Sequence, residues 1–74
     1  MGILIQRRPF ESPVIAQATA DWFHEPQFAI PGLTVSTNVI EQDGQIWLVL
    51  KQEGAMVTNA NAVLPDYQMV SFTP

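Results

Sequence analysis

Cysteine is absent from this 74-residue chain. Its absence excludes disulfides, thiolate metal sites and thiol catalysis, and it leaves the redox compartment open. There is one histidine, His24, too few for a dedicated zinc site. Charge is scarce: 14% of residues are charged, against about 25% in an average domain. Arg7, Arg8 and Lys51 are the only fixed cations, and the net charge is −4. Phosphate binding needs clustered Lys and Arg to release counterions, so nucleic acid is not an expected partner. Seven carboxylates spread along the chain do not make the dense negative face of a nucleic-acid mimic either. The four glycines have no phosphate-loop spacing, which excludes the usual nucleotide cradle. Long apolar runs are missing too. The longest, Ile46 to Leu50, is far short of the roughly 20 residues a membrane helix needs.

The N-terminus adds no address. Met1 to Arg8 is apolar first and basic second, the reverse of a signal peptide. Gln6 occupies the position where a myristoylation motif needs Ser or Thr. The expected location is the cytoplasm, or the interior of an assembled particle.

What is present is a small, hydrophobic, glutamine-rich chain: 47% hydrophobic residues, and glutamines at 6, 17, 27, 42, 45, 52 and 68. A domain of this length buries only about 60% of the surface its unfolded chain exposes, so its core is marginal unless something adds to it. With disulfides excluded and a dedicated zinc site not expected, oligomerisation or a partner chain is the addition left. Low charge with high hydrophobicity suits a subunit whose surface is partly covered.

The strongest local signal is Val35 to Gln52: two strand-like runs joined by Asp43-Gly44. A two-residue loop fixes the register. Gln42 then faces Gln45, Glu41 faces Ile46, Ile40 faces Trp47 and Val39 faces Leu48, and successive pairs alternate faces. One face carries Val35, Thr37, Val39, Ile46, Leu48 and Leu50, and is assigned to the core. The other carries Ile40, Trp47 and Val49 among Ser36, Asn38, Gln42, Gln45 and Lys51.

The remaining elements follow from punctuation. Ile3-Leu4-Ile5 is a short strand, confined to an edge or stopped by Pro9. Ser12-Pro13 starts a helix, with serine as N-cap and proline at the first position. Pro26 ends it near His24. Its apolar stripe is Val14, Ile15, Ala18 and Trp22, the expected buried face, with Phe23 off the stripe. Pro31-Gly32 and Pro65-Asp66 are turns, Gly54 breaks the second hairpin strand, and 58–62 is a loop or one helical turn. Ala55-Met56-Val57 is a candidate short strand. Tyr67 to Thr73 is the last main strand, with Gln68, Val70 and Phe72 on one face and Tyr67, Met69 and Ser71 on the other.

The expected fold is α+β: a single domain over residues 1–74, with one N-terminal helix packed on a three- to four-stranded antiparallel sheet built around the hairpin. A small open barrel of five strands is the alternative.

No chemistry-bearing constellation stands out. Asp21, His24 and Glu25 sit within five residues and read as a solvated helix C-terminus rather than a weak metal site or general base, since no second histidine or carboxylate cluster with ligand spacing supports those. Ser12, Ser36 and Ser71 with His24 and Asp66 have no Gly-x-Ser-x-Gly turn to assemble them. Arg7-Arg8 reads as a pair flanking an edge strand, where charge discourages aggregation. No catalytic residue, cofactor or metal ligand is assigned. The expected function is that of a non-enzymatic interaction or assembly subunit, an adaptor, inhibitor or particle component. Its expected partner is itself or another protein, met through an interface of Ile40, Trp47, Val49, Tyr67 and Met69. The alternative is a small oligomeric enzyme or ligand-binding protein whose site forms between subunits, where His24 or Tyr67 meets Arg7 or Arg8.

Overall fold

A computed structural model describes residues 1–74. It has four antiparallel strands and one helix: β1 (Gly2–Phe10), α1 (Pro13–Trp22), β2 (Leu33–Gln42), β3 (Gln45–Gly54) and β4 (Gln68–Thr73), in sheet order β2-β3-β1-β4. This is the expected α+β arrangement, a helix on one side of a sheet.

The β2–β3 hairpin has the register that its turn dictates. Val39 stands opposite Leu48 and Ile40 opposite Trp47. Asp43 and Gly44 both have positive φ, 54° and 79°, as a type I′ turn requires. At the start of β2, Gly32 takes φ 83° and the Leu33 amide closes the Pro31-Gly32 turn onto the Ile30 carbonyl at 3.1 Å.

β1 differs from expectation. It runs nine residues and lies inside the sheet, between β3 and β4, rather than ending as a short edge strand. Proline is tolerated there for a geometric reason. Trp47 bonds Ile40 across the hairpin, so its pairing with Pro9 is one that exchanges no hydrogen bonds. The Pro9 nitrogen therefore faces the other side, where β4 pairing has already stopped at Arg7.

The helix begins as read, with Ser12 Oγ accepting from the Val14 amide at 3.2 Å, and it ends at Trp22. Its buried face is not the one expected. Ala16 and Ala20 are fully covered against Phe10 and Leu48, with Phe23, Val39 and Ile46 packed around them. Val14, Ile15 and Trp22 are 76%, 59% and 47% exposed. Two alanines one turn apart let the helix backbone approach the sheet closely, and bulkier residues on that line would hold it off. Phe23, expected off the packed stripe, belongs to it.

The other half of the same sheet side is closed by the segment after β3. Val57 is buried there, and the Leu64 amide donates to Gln6 Oε1 at 2.8 Å while Gln6 Nε2 donates to Gln52 Oε1 at 2.7 Å. Gln6 is fully buried, and its amide joins β1, β3 and this segment. Residues 55–57 form no strand, and a single 3-10 turn spans Ala60–Ala62. In β4 the register slips by one residue at Val70, a bulge, between the Ile5–Ser71 and Gln6–Met69 pairs. The simple alternation expected from Tyr67 to Thr73 is lost as a result. Phe72 faces the helix side with Leu4, whereas Gln68 pairs with Arg7 on the other.

Candidate functional site

Strand alternation sorts the sheet into two surfaces. On the helix side lie Leu4, Gln6, Leu48 and Leu50, all fully buried under the helix or the 55–67 segment. No element of the chain crosses the opposite side. It carries Ile3, Ile5, Arg7 and Pro9 from β1, Trp47, Val49 and Lys51 from β3, and Ile40 from β2. Pairing places Ile40, Trp47 and Pro9 in one row across three strands, with Asn38, Val49 and Arg7 in the next. Trp47 is half-buried, and the Arg7 guanidinium lies 3.9 Å from the centre of its ring. That stack orients the indole and gives the cation an aromatic face in place of water. Two of the three fixed cations, Arg7 and Lys51, sit on this open face, although the chain as a whole is acidic.

The expected interface residues divide. Ile40, Trp47 and Val49 are neighbours on the open face. Tyr67 lies on the helix side, its ring edge-on to Phe23 at 6.4 Å, and Met69 stands opposite the buried Gln6. The bulge at Val70 is what separates them from the Trp47 side, and nothing in the sequence marks it.

Arg7 and Arg8 also differ from the edge-flanking pair expected. They lie in an interior strand and point to opposite faces. Arg8 stacks on Phe10 at 4.6 Å on the helix side, close to Tyr67. The Tyr67 hydroxyl is buried and finds no hydrogen-bond partner. Burial pushes its pKa above the ordinary value of 10.0, and the nearby Arg8 charge only partly offsets this.

The polar candidates are dispersed. Asp21 accepts from Gln17 at 2.9 Å, His24 shares a hydrogen bond with Thr37 Oγ1 at 2.8 Å, and Glu25 bonds Gln27. No three His, Asp or Glu side chains group to hold a metal ion. Ser12 caps the helix, while Ser36 and Ser71 are on the open face, away from His24. Beside the helix C-terminus, Phe23, His24, Phe28, Leu33 and Val35 line a shallow cleft of about 180 Å³. No helix is long and apolar enough to cross a membrane.

The signal missed in the sequence is a second apolar surface. Val14, Ile15, Ala18 and Trp22 form a stripe on the outside of the helix, with Phe28 against Trp22 at 4.2 Å between ring centres. The same helical spacing that suggests a buried stripe serves equally well for an outward one. Comparison with known proteins leaves these surfaces as the only guide to function: no protein-family model, curated protein or solved structure matches the chain.

Proposed function

We propose that this chain is a non-enzymatic assembly subunit that docks through the open sheet face bearing Ile40, Trp47 and Val49, with a second copy of itself as the partner. The observation that carries the reading is the incompleteness of the core. Only 10 of 74 residues are buried, while an aromatic and several aliphatic side chains occupy a sheet side that the chain leaves uncovered. Tryptophan and arginine are the residue types that dominate interface energetics, and here they are stacked at the middle of the face. Gln42, Gln45 and Lys51 form a polar border. Arg7, Lys51 and Glu53 give the face charges of both signs, so a contact between two copies can set unlike charges together.

Trp47 is already partly covered within the chain, so docking buries at most about a third of its roughly 150–250 Å², on the order of 1–2 kcal/mol gross at about 25 cal/mol per Å², with the neighbouring aliphatic side chains adding to it. Rigid-body and side-chain ordering reduce the net. Sedimentation velocity of wild type and of Trp47→Lys, each checked by circular dichroism, tests the reading. The expected result is a smaller species that is still folded. An unchanged mass contradicts it, as does a wild type that stays at 8.2 kDa at high concentration.

A further inference from the structure

We propose that β2 pairs edge-to-edge with β2 of a second copy, antiparallel about a twofold axis at Thr37, so that two four-stranded sheets become one. The proposal stands on the edge of the sheet and does not depend on the open-face reading.

β2 is an outer strand of ten residues whose only hydrogen-bonded neighbour is β3. Gln42 and Gln45 flank a two-residue turn, so they form a hydrogen-bonded pair. Alternation from that point sends the backbone groups of Thr34, Ser36, Asn38 and Ile40 toward β3. Those of Val35, Thr37, Val39 and Glu41 point away from the sheet, and no loop or cap bonds them. Proteins usually blunt such an edge with lysine, proline, a bulge or a covering segment. β2 has no lysine, proline or bulge, and Glu41 is its single charge; the segment before it touches its side chains, His24 on Thr37 Oγ1, but bonds none of these four residues' backbone groups. The opposite edge is treated differently. β4 is six residues long, carries the bulge at Val70 and is followed by Pro74. With one edge blunted and the other open, pairing closes at a dimer and does not propagate.

The sequence of β2 is self-complementary about Thr37. In that register Val35 stands opposite Val39 of the second copy, and Val39 opposite Val35, so β-branched pairs meet on the helix side. Glu41 meets Leu33, and no like charges face each other. Val35, Thr37, Val39 and Glu41 are all engaged, while the Leu33 amide stays on the Ile30 carbonyl. Moving the axis to either side leaves part of the ladder unpaired. On the open face the same register sets Ser36 opposite Asn38 of the second copy, at a pair that exchanges no hydrogen bonds, where Cα atoms are about 4.5 Å apart.

That pair supplies the test. A Ser36→Cys/Asn38→Cys chain has its only thiols at those two exposed positions, since the protein has no cysteine. The expected separation lies inside the range a disulfide spans. Mild oxidation is expected to convert the protein quantitatively to a covalent dimer on a non-reducing gel, and Gln68→Cys/Ser71→Cys on the β4 edge is expected to stay monomeric. Thr37→Pro removes an outward N–H and none of the β2–β3 bonds, and is expected to lower the mass of the otherwise native protein. Adding Trp47→Lys to the double-cysteine chain separates the two surfaces. Cross-linking that survives this change supports the edge even if the open-face reading fails. Absence of cross-linking in the double-cysteine chain, or cross-linking no faster than on the β4 edge, overturns the edge pairing whatever the open face does.

Discussion

Replacing Gln6 with alanine tests how the helix-side surface is closed. Gln6 has no exposed area, and its amide serves Gln52 Oε1 at 2.7 Å and the Leu64 amide at 2.8 Å. Alanine makes neither bond, so two polar groups lose their partner. An orphaned buried group costs about 1–3 kcal/mol. Gln52 and Leu64 are each partly accessible, which puts both near the lower end. Truncation also forfeits a buried methylene, about 0.8 kcal/mol, and the amide's own desolvation, no longer incurred, returns a similar amount. The balance favours wild type by about 2 kcal/mol, which for a domain of this size lowers Tm by roughly 10 °C. Urea melts at one fixed protein concentration, needed because association would add to apparent stability, should show a lower midpoint at unchanged slope. The Gln6→Ala/Gln52→Leu double variant removes one orphan and should recover part of the loss. A single variant as stable as wild type would refute the tie between β1 and the 55–67 segment.

Helix orientation is tested by a pair: Ala16→Leu should cost about 1–3 kcal/mol by overpacking, while Val14→Lys, at an exposed position, should stay within about 0.5 kcal/mol in thermal melts. Gly44→Val should cost on the order of 1 kcal/mol or more because φ is 79° there, and Gly54→Ala more, because a Cβ would collide with the Gly32 carbonyl. His24→Gln should leave folding nearly unchanged by circular dichroism, since His24 makes one exposed hydrogen bond, to Thr37. Tyr67 has a folded pKa above its unfolded value of 10.0, so its contribution to stability is complete below pH 10 and falls as pH rises through the folded value. Tyr67→Phe should remove that component from a pH series of melts, and ultraviolet titration of wild type should show the tyrosine ionising above its ordinary range.

What could be read from the sequence was whatever a local rule over-determines. Asp43-Gly44 fixed loop length, loop length fixed register, and register placed Val39, Leu48, Ile40 and Trp47. Ser12-Pro13 fixed the helix start for the same kind of reason. The failures are non-local. Whether a stripe such as Val14, Ile15 and Trp22 faces in or out depends on what the sheet offers beneath it, and here Phe10 and Leu48 leave room only for Ala16 and Ala20. Pro9 argued for an edge because the rule considers a proline nitrogen without knowing where the next strand stops. The bulge at Val70 follows from pairing between β1 and β4, far apart in sequence, and it carried Tyr67 and Met69 away from the side of Trp47. The candidate interface was therefore legible where the hairpin alone defines it.

The most direct test of the open-face docking is the emission of Trp47 as the protein is diluted, recorded in a Trp22→Phe background so that one indole reports. Trp47 is half-buried under Arg7 in the single chain and fully covered if a second copy docks on it. A concentration-dependent red shift on dilution is expected, with the same midpoint as the fall in mass by sedimentation. Emission that is independent of concentration while the mass changes would place the contact elsewhere and contradict open-face docking.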